Sequence, residues 1–207
     1  MIKNITHIFW EKPTETKKCY VRNYSSSTFH SLKTLLYIEI PKNETNDFSI
    51  GQSCFNSCTN LFNHNKITSE AKQVFMSRIT AFRAQAFNNI SPGRAEDATG
   101  MFLSNTSIVI NSNASLANLI FAESVVSEVY FGSVEKPFVG TFNVSIPIFR
   151  NAGYGTSFLD EDFTPVNVIF YYDLDVAIEA GGVEAYKSNI ETALGVSIKP
   201  ENFIKGG

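Results

Sequence analysis

Long apolar runs are absent from the 207-residue sequence, and no stretch reaches the length that a helix needs to cross a bilayer. The segment Met1–Trp10 alternates polar and apolar side chains, whereas a signal peptide contains a continuous apolar core. We therefore predict synthesis in the cytoplasm without a signal peptide, and no membrane span.

An excess of positive charge is also lacking, since 17 Lys and Arg are balanced by 20 Asp and Glu, for a formal net charge of −3. Proteins that coat nucleic acids usually have a basic excess, so nucleic acid is not the expected main partner. The one locally basic set is Lys72, Arg78 and Arg83, which could contact an acidic partner.

Cysteine is scarce and odd in number, with Cys19, Cys54 and Cys58. This count argues against a disulfide framework. Cys54-x3-Cys58 followed by His64 resembles part of a zinc site, but a fourth ligand would have to come from Cys19 or His30, and the spacing is not that of a zinc ribbon. Buried free thiols are the favoured interpretation, and we predict no cofactor.

Familiar catalytic motifs are missing: there is neither a G-x-S-x-G elbow nor a Walker A sequence. The best candidates for a divalent cation are Asp173 and Asp175, which would share one face of a strand, with Glu179 or Asp160 as a further ligand. The same carboxylates are typical of the solvated face of an edge strand. We therefore assign no catalytic residue, and these two aspartates are weak candidates for a metal site.

Apolar material is abundant, with 43% hydrophobic residues and 18 Phe. Alternating polar and apolar residues predict strands in several segments. They are 32–40, 103–111, 125–131, 141–149 and 166–176. Apolar residues at steps of three and four predict one long amphipathic helix over Ile67–Asn89 and a short C-terminal helix over Val183–Leu194.

The order of these elements favours an α+β fold with a largely antiparallel sheet, in a single domain over residues 1–207. We find no internal repeat. The strands over 141–149 and 166–176 are expected to be antiparallel neighbours, because consecutive strands usually pair.

The connection over residues 150–165 is long for a compact domain, and long ordered loops tend to be functional. It contains the apolar side chains that we predict to form a protein interface, namely Tyr154, Phe158, Leu159 and Phe163. Packing of the loop on its own domain, as in an Ω-loop, is the alternative.

These features together predict a non-enzymatic structural or assembly subunit of a larger complex. It would act through contacts with other protein subunits, as a homo-oligomer or in a hetero-complex, and a virion or phage-tail-like particle is the expected setting. Two alternatives are a cation-dependent enzyme that uses the acidic cluster and a small-ligand binding module.

Overall fold

The computed structural model shows short parallel strands stacked into two sheets, followed by two helices. It describes residues 5–9, 21–40, 48–59, 61, 76–90, 107–124, 126–154 and 163–207. Structural statements below concern these residues.

The first sheet has five two-residue strands, all parallel and paired in register. They are β2 (Asn23–Tyr24), β4 (Ser49–Ile50), β5 (Ala81–Phe82), β7 (Ser115–Leu116) and β9 (Thr141–Phe142). The second residue of each strand faces the core. Successive core-facing residues are separated by 26, 32, 34 and 26 positions, so equivalent strands recur at unequal intervals.

The second sheet is also parallel and has the order β13-β12-β8-β6. Its strands are β6 (Ser107–Ile110), β8 (Glu128–Phe131), β12 (Asn167–Tyr172) and β13 (Phe203–Lys205). A separate parallel pair joins β1 (His7–Ile8) to β3 (Tyr37–Ile38). From β5 to β9 the chain alternates between the two sheets, and each strand pairs in parallel with its equivalent one turn later, so the architecture is a solenoid of stacked coils.

Each coil turns at a phenylalanine that follows its first-sheet strand. The five rings stack face to face in chain order, as Phe29, Phe55, Phe87, Phe121 and Phe149. Neighbouring centroids are 5.2, 5.1, 5.6 and 5.6 Å apart. The spine explains the abundance of Phe, because stacked rings bury large apolar areas in the preferred geometry of aromatic pairs.

The phenylalanine turns adopt left-handed backbone conformations without glycine. In the first four coils, positive φ occurs two residues before and two residues after the spine ring, at Ser27 and Ser31, Ser53 and Ser57, Gln85 and Asn89, and Leu119 and Glu123. In the fifth turn only Asn151, two residues after the spine ring, has positive φ. The position two residues before the ring is Pro147, and proline cannot adopt positive φ.

After β12 the chain leaves the solenoid pattern for α1 (Leu174–Glu179) and α2 (Val183–Leu194). A 3-10 turn at Pro200–Asn202 then leads into β13. Helix α2 matches the predicted bounds, and its Tyr186, Ile190 and Leu194 are buried as the periodicity indicated. Glu191 accepts a hydrogen bond from Lys187 Nζ at 2.6 Å within α2 and another from the Ile198 amide at 2.7 Å, which joins α2 to the segment after it.

The prediction of a largely antiparallel sheet is wrong. Three of the four described sheets contain only parallel pairs, and the sole antiparallel pairing between described strands is that of β10 (Gly153–Tyr154) with β11 (Thr164–Pro165). Consequently, β9 and β12 are not neighbours but belong to different sheets. Alternation reveals which residues face the core, but it does not distinguish a hairpin from successive turns of a solenoid.

The prediction of no internal repeat is also wrong, as is the long helix over Ile67–Asn89. Within that range the structure describes residues 76–89, where helix is present only at residues 76–77 and strand β5 begins at Ala81. The apolar residues there match helical spacing because Ile79, Phe82, Ala86 and Phe87 point into the coil from a strand and a tight turn. Each predicted strand segment contains a described strand, although most of these strands are shorter than predicted: β3 lies in 32–40, β6 in 103–111, β8 in 125–131, β9 in 141–149 and β12 in 166–176.

Candidate functional site

The turn ladder of the solenoid is completed by helix α2. In each of the first four coils the amide of the spine phenylalanine donates to a carbonyl of the next coil, for example Phe87 to Ile120 at 2.9 Å. In the fifth coil, Phe149 donates to Leu194 at 3.0 Å and Ile148 to Ala193 at 3.1 Å. The last turn of α2 therefore accepts the spine-amide bond that a sixth coil would accept, and it supplies the cap that repeat arrays need at their ends.

The hydrogen bonds between neighbouring strands of the first sheet, in contrast, stop at β9 in the described chain. Carbonyl groups of earlier strands accept amides from the next strand, as Ala114 does from Thr141 at 3.0 Å and Leu116 from Asn143 at 2.8 Å. Gly140 and Phe142 are the equivalents in the fifth coil. Within the described chain, no amide donates to either carbonyl oxygen.

Side-chain burial shows the same open edge. The core-facing residues of the four preceding strands, Tyr24, Ile50, Phe82 and Leu116, are at most 4% exposed. Phe142 occupies the same position in β9 and is only partly buried. The difference arises because each earlier residue is covered by the strand of the next coil, and no described strand covers β9.

A groove of about 660 Å³ runs along this edge. One wall is the chain from Gly140 to Ser145 with Pro147. The other wall comes from the two helices, with Val176 and Ala180 of α1 and Tyr186, Asn189, Ile190, Thr192 and Ala193 of α2. The groove thus combines an open backbone edge with a surface of amide, hydroxyl and apolar side chains.

The wall formed by β9 is held in place on both sides of the strand. The ring of Phe142 lies 5.3 Å from that of Phe138 in the core. Beyond the strand, Asn118 Oδ1 accepts the amides of Ser145 at 2.7 Å and Ile146 at 3.1 Å. This asparagine fixes the chain where it leaves β9, so the groove edge is preorganised.

Tyr186 is the one ionisable side chain among the described residues that line the groove. Its burial, followed by the nearby negative charge of Asp173, raises the pKa of Tyr186 to about 12. The phenol consequently stays protonated and uncharged at neutral pH.

The structure places part of the predicted loop interface within the domain. Phe163 is half-buried, and its Cζ lies 2.4 Å from the position that a Cβ on Gly153 would occupy, so the ring covers this glycine. The backbone of Tyr154 pairs with Thr164 in the β10–β11 hairpin. Phe158 and Leu159 lie outside the described residues.

The three predicted basic contacts are not brought together on a helix face. Lys72 lies outside the described residues. Arg78 Nη1 donates to the carbonyl oxygen of Ile40 at 2.8 Å, and burial lowers the pKa of this arginine. Arg83 is exposed and follows β5 in the first sheet. Since residues 78–83 form a turn and a strand, the helical face that would have united these charges does not exist there.

The acidic pair proposed as a cation site is likewise separated by a change in backbone conformation. The strand ends at Tyr172, and Asp173 is the N-cap of α1: its Oδ1 accepts the amides of Asp175 at 3.0 Å and Val176 at 3.1 Å. Asp175 is exposed in the first helical turn. The expectation that both carboxylates share one strand face is wrong, because a helix begins between them.

Cys54 and Cys58 are free, fully buried and placed on either side of the spine residue Phe55. The Cys58 thiol donates to the carbonyl oxygen of Phe29 at 2.8 Å. Burial raises the pKa of both thiols to about 12. Cys19 and His64 lie outside the described residues, within which no cluster of three possible metal ligands occurs.

Sequence reasoning missed the groove because it missed the repeat. A signal was present: an apolar strand residue precedes the spine phenylalanine by five positions in four coils, as in Tyr24 and Phe29 or Leu116 and Phe121. In the fifth coil the spacing is seven, from Phe142 to Phe149, and Pro147 stands within it. This pattern marks both the repeat and its altered last member.

No protein-family model, curated protein or solved structure matches the chain. Among the described helices, none has the length and apolar character to span a membrane.

Proposed function

We propose that the protein is a non-enzymatic assembly subunit that binds other polypeptide chains in the groove between β9 and α2. One observation carries the proposal: among the described residues the first sheet ends at a strand edge that pairs with no further strand, in a groove whose opposite wall is a helix. Polypeptides are the partners that such an edge suits, because they present backbone donors and acceptors at the matching spacing.

The solenoid itself supports a binding role. Stacked repeats form a rigid scaffold in which each coil contacts mainly its neighbours, and proteins of this type present extended surfaces to partners. Here the Phe spine and the two parallel sheets fix the position of β9, and the Phe149–Leu194 hydrogen bond fixes that of α2. A virion or phage-tail-like particle stays a prediction from the sequence.

Site-specific photo-crosslinking tests the proposal. Asn189 is exposed and lines the groove, whereas its neighbour Ser188 is exposed but does not line it. A benzophenone amino acid would replace each residue in turn, in cells that naturally make the protein. We expect a covalent protein adduct of defined mass from position 189 and none from position 188.

Equal crosslinking from both positions, or none from either, would count against the groove as the binding site. Light scattering of the purified protein, with and without the crosslinked partner, then gives the composition of the complex. A protein that stays monomeric under all of these conditions contradicts the assembly role.

A further inference from the structure

The two sheets of the solenoid differ in length by one strand at the C-terminal end. The fifth coil contributes β9 to the first sheet and β12 to the second. The second sheet then continues to β13, which pairs in parallel with β12 at Phe170–Phe203. No described strand follows β9 in the first sheet. A sixth coil therefore has its strand in the second sheet, β13, but no described strand in the first. Helices α1 and α2 lie in the chain between β12 and β13.

The vacant strand position has defined hydrogen-bonding requirements. By analogy with the preceding pair, a strand placed there would donate amides from residues i and i+2 to the carbonyl oxygens of Gly140 and Phe142. The intervening residue, i+1, would face the core beside Phe142. Parallel direction follows from the uniformly parallel pairs of this sheet.

We propose that the groove binds an extended segment of another polypeptide, which adds to the first sheet as a sixth strand parallel to β9. This inference rests on the proposed function and specifies how its partner binds. The bound segment would cover Phe142 and satisfy the two carbonyl oxygens, as strand addition does at other exposed sheet edges.

A single strand fits this position better than a second copy of the solenoid. Stacking another coil on the fifth one would require a carbonyl of that coil to accept the spine amide of Phe149, as in the earlier coils. This amide already donates to Leu194 of α2, and the neighbouring Ile148 amide donates to Ala193. The turn end is closed by the helix, while the strand end is open, so only the strand part of a coil can be accommodated.

The lining of the groove determines which residues the segment should carry. At position i+1 a large apolar side chain would contact Phe142, Val176 and Ile190. Position i faces outward, where the sheet carries the small residues Ser49, Ala81 and Ser115 in register. We therefore expect a motif with one large apolar residue preceded by a small one. The groove lining is uncharged, so charged side chains are disfavoured at i+1.

The chain itself supplies a suitable probe. The peptide Ser-Asn-Ala-Ser-Leu-Ala-Asn, the sequence of residues 112–118, contains β7 and already occupies the equivalent position after β5. Placed after β9, its Leu116 would lie at i+1, and its Ser115 and Ala117 amides would face β9. Titration of the isotope-labelled full-length protein with this peptide should shift the amide resonances of Phe142 and Val144.

Two N-methylated peptides provide the matched comparison. Methylation of the Ala117 nitrogen removes a donor that faces Phe142, and we expect binding to weaken about tenfold. Methylation of the Leu116 nitrogen removes a donor that faces away from β9, and we expect a change of less than about threefold. Both modifications favour extended backbone, and neither alters the folding of the protein.

The proposal is overturned if the parent peptide leaves Phe142 and Val144 unperturbed at millimolar concentration, or if both methylated peptides bind equally. Concentration-dependent self-association that perturbs the same amides would assign the edge to a second copy and also overturn it. Failure here differs from failure of the proposed function. Crosslinking from position 189 without the methylation effect would mean that a partner occupies the groove in another way.

Discussion

The amide of Phe149 donates to the carbonyl oxygen of Leu194, which places the end of a helix where the next coil of a solenoid would stand. The two residues are far apart in sequence and are joined by the ladder geometry that links the earlier coils. Gly195 follows at once with φ +76°, a left-handed C-cap whose amide bonds to Glu191 at 2.8 Å. Helix α2 thus ends at Leu194 and Gly195, directly beside the hydrogen bond that caps the solenoid.

Gly195→Ala should destabilise the protein. The left-handed conformation alone costs a non-glycine residue about 1–2 kcal/mol. In addition, a Cβ at this position would lie 2.5 Å from the Pro147 Cβ. Urea unfolding followed by circular dichroism measures the loss. In a double-mutant cycle with Pro147→Gly, which removes the contacting Cβ, the steric part of the loss should be recovered and the conformational part should remain.

Phe87→Ala should cost about 3–5 kcal/mol of unfolding free energy, since the substitution leaves a cavity in the middle of the spine. The Phe87 ring stacks on Phe55 at 5.1 Å and on Phe121 at 5.6 Å. Phe9→Ala is the control, because that ring is 65% exposed. Denaturant unfolding of both variants gives the comparison, and equal losses would contradict the role of the spine.

Asp173→Ala should destabilise α1 by about 1 kcal/mol through loss of the N-cap. Asp173→Asn keeps a side-chain acceptor and should lose less, while Asp175→Ala removes an exposed side chain and should have a small effect. Thermal unfolding of the three variants tests this order.

Magnesium, calcium and manganese should leave the melting temperature of the wild-type protein unchanged, because Asp173 is committed to the cap and Asp175 points from a helix. Differential scanning fluorimetry in each cation provides the measurement. A rise of several degrees that Asp173→Asn abolishes would restore the cation site.

Stability should fall as the pH rises above 9. The pKa of Cys54 and Cys58 is raised from 9.0 to about 12 in the folded protein, so the neutral thiols are favoured there and the unfolded chain ionises first. The contribution of the two neutral thiols to the free energy of unfolding is therefore complete below pH 9 and is lost between pH 9 and about 12. Urea unfolding at pH 8, 9 and 10 should show the decline, and Cys58→Ala should show a shallower one.

The same burial predicts slow thiol chemistry. In a Cys19→Ser background, a disulfide reagent at pH 8 should modify Cys54 and Cys58 only as the protein unfolds, since both are fully buried. Fast modification of the folded protein, without loss of its circular dichroism signal, would show that these thiols are accessible.

The elements that the sequence predicts most accurately are those defined by a pattern of apolar residues within one short segment. Helix α2 has uninterrupted helical spacing and flanking glycines, and its bounds are as predicted. Strands β8 and β12 alternate over enough residues to be recognised. For these elements the residues that face the core are specified within one short segment.

Topology could not be predicted because it depends on contacts between positions 26 to 34 residues apart. The first-sheet strands have only two residues each, too few for alternation to define them. Unequal coil lengths hide the period, and the turns use serine, asparagine, glutamine, leucine and glutamate at positive φ, where glycine would have been a visible signal.

The groove could not be predicted from the sequence for a related reason. Its walls come from residues 140–147 and from two helices that begin at Leu174 and Val183, and their proximity follows from the capping contact rather than from any motif. The loop at 150–165 and the acidic residues near Asp173 stand out in the sequence by their composition, whereas the groove does not. The Phe142 carbonyl oxygen, which accepts no hydrogen bond from the described residues, has no signature in the amino-acid sequence.

The open edge at β9 also has a consequence for synthesis. As the chain emerges from the ribosome, each first-sheet strand exposes an edge that is covered once the next 26 to 34 residues have been made. For β9 no covering strand follows among the described residues. An exposed edge that is temporary for the four earlier strands during synthesis is therefore, for β9, part of the described fold.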